Sequence, residues 1–268
     1  MSRPLLATAL ASCALAACSA TPAALETPRD PVGRVHAYLR SNQDGSLPER
    51  VVVYRESATR AAVYKMVERC TNAAYVTAEF DLARGEALRL VGGRLTREST
   101  QDGVATLTLD PEARTLTTHV ALPDGGEINE TLSGVASPWR IYDFDLADLT
   151  TLMEGAPAPR GDFVFTVALA WPAETEGPFV TNRGQAHARF DGEELRRQHA
   201  SLRYQVSGAL NGQLWLDARE GYVVEARFDE PNHPGYDDFS LVLEGVVEAA
   251  EGPAAWAETL AAHWRGCP

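Results

Sequence analysis

Lysine is almost missing from this chain. Of its 24 lysine and arginine residues, Lys65 is the one lysine, and Asp and Glu outnumber the basic residues to leave a formal charge of −13. Phosphate backbones demand clustered Lys and Arg, so this balance argues against a nucleic-acid partner. It argues equally against electrostatic adhesion to anionic lipid. Cysteine is scarce too, with four in 268 residues. One long apolar run occurs, Leu5 to Ala17, and it is shorter than the roughly 20 residues a spanning helix needs. The catalytic signatures are absent as well: no G-x-S-x-G elbow, no S-x-x-K, no Walker loop, no G-x-G-x-x-G and no H-E-x-x-H. No cofactor is expected.

The apolar run has a meaning of its own. Arg3 puts a positive charge ahead of it and small residues close it, the pattern of a secretory signal peptide. The run ends Leu15-Ala16-Ala17-Cys18, which resembles the lipobox of bacterial lipoproteins. The resemblance covers four residues and implies cleavage after residue 17, a diacylglycerol thioether on Cys18, and usually acylation of the new amine. Two other readings stay open. Leu10-Ala11-Ser12-Cys13 fits the same box behind a shorter run, and Ala14-Leu15-Ala16 has the small-x-small form of ordinary secretion. By the same resemblance, Ser19 in place of an aspartate points to the outer membrane, with the protein facing the periplasm. Residues 18–33, with three prolines, then read as a disordered tether with a reach on the order of 50 Å. Residues 34–268 read as a single domain of adequate apolar content.

Cys13 would leave with the leader and Cys18 would carry lipid. Cys70 and Cys267 remain, and in an oxidising compartment they are expected to pair, with two buried free thiols as the alternative.

The domain reads mostly as strands. Val51 to Tyr54 is β-branched and aromatic, and Ala73 to Leu90 alternates around the turn Asp81-Leu82-Ala83-Arg84-Gly85. The same turn recurs as Asp217-Ala218-Arg219-Glu220-Gly221 between strands read at Gln213 to Leu216 and Tyr222 to Phe228, and more loosely at Asp110 to Arg114. Aspartate opens such turns by accepting from backbone amides, and glycine supplies the positive φ. Further strands are expected at 104–109, 115–122, 162–171, 185–191, 201–207 and 239–247. Three helices are read: a short one at Val35 to Leu39, one from Asp143 to Met153, and one from Pro253 to Trp264 carrying Trp256, Leu260 and Trp264 on one face.

The expected fold is therefore mainly β (α+β): a large curved antiparallel sheet or unclosed half-barrel, with one or two helices against its concave side, one of them C-terminal. This layout resembles the half-barrels of the lipoprotein-carrier family, which hold acyl chains inside. The segments Arg40 to Ser46 and Pro231 to Phe239 resemble motifs of uncharacterised bacterial lipoproteins. Neither resemblance transfers a functional residue.

Two sets of candidate residues follow. Trp139, Tyr142, Trp171, Trp215, Phe228 and Trp256 could line an apolar ligand cavity, or simply fill a core. His233, Tyr236, Asp237 and Asp238 gather an imidazole, a phenol and two carboxylates in one loop, able to act as a polar site or to form a stiff turn. His187 and His199 could face each other across neighbouring strands with Asp191 on the face of His187, a weak metal-site pattern beside the simpler reading of surface polarity. His119 has no evident partner. Three functions remain: a non-enzymatic envelope protein binding an apolar ligand or a protein partner, a hydrolase built on the His233–Asp238 loop, or a structural subunit of an envelope complex.

Overall fold

The computed structural model describes residues 30–170 and 178–268. Cys18 and Trp171 lie outside them. Fifteen strands form one sheet in the order β8-β7-β6-β5-β4-β3-β2-β1-β15-β14-β13-β12-β11-β10-β9. Strands β1 (Val35–Ser41) to β8 (Glu127–Ser133) run as one meander, and β10 (Phe163–Ala170) to β15 (Phe239–Val247) as a second. The two meanders join where β15 pairs antiparallel with β1. The short β9 (Trp139–Ile141) pairs parallel with β10. No pairing links β8 to β9 among the described residues, so the sheet is unclosed, yet it wraps round. Trp139 of β9 donates its indole N–H to the Ala87 carbonyl of β5 (Glu86–Leu95) at 3.0 Å, and Glu130 of β8 accepts from the Phe179 amide at 2.7 Å.

The repeated turns form by the chemistry read from the sequence. Asp81, Asp110 and Asp217 each accept two amides from the residues two and three positions on. Gly85 and Gly221 take φ of 62° and 82°, and Arg114 occupies the corresponding left-handed position at 54°.

The sheet is buried on both faces in its middle. Val51, Val53, Ala61 and Val63 of β2 (Glu49–Ser57) and β3 (Arg60–Met66) point into the main interior. Val52, Ala62 and Tyr64, one residue out of phase, point to a second cluster on the outer face. Helix α1 (Ala147–Met153) plugs the interior: Arg55 of β2 caps it by donating to the Thr151 carbonyl, and Tyr38 of β1 donates to the Val223 carbonyl at 3.0 Å while meeting Thr150 Oγ1 at 3.1 Å. Helix α2 (Gly252–Trp264) covers the outer cluster. Trp256 packs between Tyr54 and Tyr75, with ring centroids 5.3 and 5.7 Å away. His263 Nε2 lies 2.9 Å from the Thr71 carbonyl, which can only accept, so Nε2 carries the proton. In the neutral ring Nδ1 then accepts from the Tyr64 hydroxyl at 2.7 Å. The Cys70–Cys267 disulfide closes this end, across 197 residues of sequence.

Four expectations need correction. Val35 to Leu39 is not a helix but part of β1, the strand that joins the two meanders, because pairing on both edges outweighs local propensity. The single helix over 143–153 is a 3₁₀ turn (Tyr142–Phe144) and then α1, broken where Asp145 and Leu146 take φ of 53° and 57°. The C-terminal helix lies outside the sheet rather than in its hollow. The last tether residues belong to the fold: Gly33 is buried and its amide donates to the Arg55 carbonyl at 2.8 Å. Strands β3, β8 and β9 are additions to the strands expected from the sequence.

Candidate functional site

Register creates a hollow in the interior. Val76, Gly92 and Ala105 are paired directly across β4 (Ala74–Asp81), β5 and β6 (Gln101–Asp110), and so share the inner face. Two of these three have almost no side chain. A Cβ built on Gly92 would meet only the Ala105 methyl, at 3.7 Å. The next inner row, Ala78, Leu90 and Leu107, is larger. Ile141 and two residues of the 3₁₀ turn, Asp143 and Phe144, share this space with the small row, as do Ala170 and Phe179. The space left is about 120 Å³ and is lined by Val76, Gly92, Ala105, Leu90 and Leu107 of the sheet together with Ile141, Asp143, Phe144, Ala170 and Phe179. A dry cavity of comparable size in another protein, about 150 Å³ and lined by aliphatic and aromatic groups, takes up benzene. Asp143 is the one ionisable group in the lining among the described residues.

A buried polar cluster holds the turn that carries Asp143. Lys65 donates to the Asp143 carbonyl, and its Nζ stands 2.6 Å from Asp145 Oδ2. Asn232, fully buried, donates to the Tyr142 carbonyl at 3.0 Å and to Asp145 Oδ1 at 2.7 Å. Its own carbonyl accepts from Arg40 Nε at 3.0 Å. Arg40 reaches Glu49 at 3.0 Å and lies 3.6 Å over the Tyr236 ring. Two cations thus face three carboxylates, Asp143, Asp145 and Glu49. Burial disfavours the charged form of all three. Lys65 and Arg40 overcome it for Asp145, which is held below the usual carboxylate range. For Asp143 burial prevails over Lys65 and pushes the carboxyl up to about 6. Burial, then Lys65, pushes His233 down to about 4, leaving the imidazole neutral near pH 7.

The structure joins the two segments singled out from the sequence. Asp237 and Asp238 donate their amides to Asn42 Oδ1 at 3.1 and 3.4 Å, and Asp238 Oδ1 accepts the Gln43 amide at 2.7 Å. Asp238 therefore ties two loops together. Tyr236 covers Arg40, and His233 makes no side-chain hydrogen bond among the described residues. The four residues of this loop do not converge as one site.

The aromatic set is divided. Trp139, Tyr142 and Phe228 lie in the interior core, where Tyr142 donates to the Glu230 carbonyl at 2.7 Å and Phe228 stacks on Phe239. None of the three lines the pocket. Trp256 belongs to the outer cluster under α2. Trp215 pairs across the ladder with Arg203 and Glu225, carries the Arg196 guanidinium at 4.3 Å, and donates to Glu194 at 2.7 Å. Reasoning from large aromatics misses the pocket lining. The available signal is the Gly92-Gly93 pair inside a strand, since a glycine there marks missing side-chain volume or a close approach.

His187 and His199 do not face each other. His187 pairs with Ser207 and Val164, while His199 lies at the other end of β12 (His199–Gly208) and meets Asp217 and Tyr222. Asp191 bonds Arg203 at a bulge. Among the described residues no three His, Cys, Asp or Glu side chains gather as metal ligands. His119 bonds Asn129 at 2.9 Å. No protein-family model matches the chain, and no curated protein matches its sequence.

Proposed function

We propose that this protein is a lipid-anchored envelope lipoprotein, attached through Cys18, that binds a small apolar group inside its unclosed sheet without catalysing a reaction. The carrying observation is the hollow over Val76, Gly92 and Ala105. A row of small residues on an inner sheet face forgoes burial that larger side chains would supply, about 0.8 kcal/mol for each buried CH₂. A ligand filling the space recovers that burial. The lipobox at Leu15 to Cys18 supports the anchor. The hydrolase reading is not favoured, since Asp238 is engaged by the Gln43 amide and the amide of Asp237 by Asn42, which ties this loop to its neighbour as a structural turn.

The test is a titration of the mature domain, produced in the periplasm from Ser19, with toluene, followed by NMR. Saturable binding that is lost in Gly92→Leu supports the pocket. Absence of binding in the wild-type protein overturns it. The anchor is tested separately: Cys18→Ser is expected to move the full-length protein from the membrane fraction to the soluble periplasm.

A further inference from the structure

We infer that the ligand of this pocket is an apolar group bearing a hydrogen-bond donor, a protonated amine or a hydroxyl, which binds the Asp143 carboxylate, and that fatty carboxylates and other anions are refused. The inference rests on the pocket reading above. Asp143 lines the pocket, and its carboxylate accepts no hydrogen bond among the described residues. Among the described residues every other lining side chain is apolar. Asp143 is partly exposed, so an apolar ligand that displaces water from the pocket leaves its carboxylate short of donors unless the ligand brings one, and a charge-assisted bond supplied that way is stronger than a neutral one.

The nearest cation does not serve an anionic ligand. Lys65 is the base of the turn, but its ammonium is committed to Asp145 at 2.6 Å and to the Asp143 carbonyl. Arg40 is likewise committed to Glu49, Asn232 and Asp145. An anion entering the pocket would meet Asp143 with no free cation to offset it. The backbone that carries the carboxylate is also held in place: Lys65 and Asn232 fasten it at the Asp143 and Tyr142 carbonyls. The donor's partner thus stands on a fixed turn, which lowers the cost of ordering it on binding.

Four probes of one shape decide it: toluene, benzyl alcohol, benzylamine and benzoate, titrated at mildly alkaline pH where Asp143 is ionised. Benzylamine is expected to bind about tenfold tighter than toluene, with benzyl alcohol between them and benzoate unbound. Asp143→Asn is expected to bring benzylamine to within about twofold of toluene. Gly92→Leu, which fills the space and leaves the carboxylate, is expected to abolish binding of all the probes. Should toluene bind while benzylamine gains nothing over it, the donor inference fails and the pocket reading stands. Failure of toluene itself overturns both. Benzylamine binding that survives Gly92→Leu would place it on an exposed carboxylate and also overturn the inference. The four probes on the wild-type protein and on Gly92→Leu decide between these outcomes, so the test holds even where Asp143→Asn folds poorly.

Discussion

Lys65 and Asp145 form an ion pair of 2.6 Å with both side chains almost completely out of solvent. One comes from the middle of the sheet and the other from the break between the 3₁₀ turn and α1, in a left-handed backbone conformation. Two buried charges cost several kcal/mol each to desolvate, and mutual attraction and further hydrogen bonds offset that cost only while both are present. Removing one strands the other.

Lys65→Met is therefore expected to destabilise the domain by about 3–5 kcal/mol. The double variant Lys65→Met, Asp145→Leu should recover part of that loss, because no uncompensated charge is left at the pair itself. Urea unfolding of the three proteins measures this. Equal losses for the single and double variants would mean that the pair contributes little beyond packing.

Burial of Lys65 also sets its reactivity. Its amine is expected to resist acetylation by an activated ester in the folded protein and to react once urea unfolds it. Mass spectrometry of the Lys65 peptide reads this directly. Rapid labelling of the native protein would show that the cluster opens readily.

Asn232→Leu tests the polar keystone. The substitution leaves Arg40, Asp145 and the Tyr142 carbonyl each one partner short. Buried groups left unsatisfied cost about 1–3 kcal/mol apiece, so a loss of at least about 3 kcal/mol is expected. A change below about 1 kcal/mol in the unfolding free energy would show that water replaces the amide.

Acid should weaken the domain through His233. Its folded-state value, about 4, lies below the ordinary 6.5, so the unfolded chain binds the proton more tightly. The stability this contributes is complete above pH 6.5 and is lost as pH falls toward 4, a total on the order of 3 kcal/mol. Asp143 and Asp148 work in the opposite sense: each is raised to about 6, so their contribution is complete below the usual carboxylate value and lost as pH rises through 6. In His233→Asn the first component disappears, and the slope of stability against pH between 4 and 6.5 should be more negative than in the wild type, where His233 offsets part of the opposite contribution of Asp143 and Asp148. Urea midpoints across that window check the sign. An unchanged slope would mean that His233 is not buried in the folded protein.

The disulfide closes a loop of nearly the whole domain. Chain-entropy reasoning gives about 5 kcal/mol as a ceiling for such a loop, and measured values often fall short. Cys70→Ser with Cys267→Ser should lower stability by about 2–5 kcal/mol, and loosening of α2 should be visible in the fluorescence of Trp256. Unchanged stability would show that the contacts of Trp256 and His263 hold α2 without the bond.

What could be read from the sequence was local. The Asp-opened turns at 81, 110 and 217 were legible because one side chain and two amides within a few residues make them. The alternating strands, the C-terminal helix and the Cys70–Cys267 pair were legible for similar reasons of period and of cysteine number. Tertiary structure decided everything that depends on register and on the join between distant strands. It made residues 35–39 a strand, because pairing with both β2 and β15 outweighs the propensity of five residues. It set Trp256 outside the sheet and Trp139 inside, since which face a side chain occupies follows from a register that no local pattern states. It brought Arg40, Lys65, Asp145 and Asn232 together from four parts of the chain, and left a hollow where Val76, Gly92 and Ala105 happen to align. Those relationships belong to pairs of residues far apart in sequence, and only the closed contacts of the folded sheet select them.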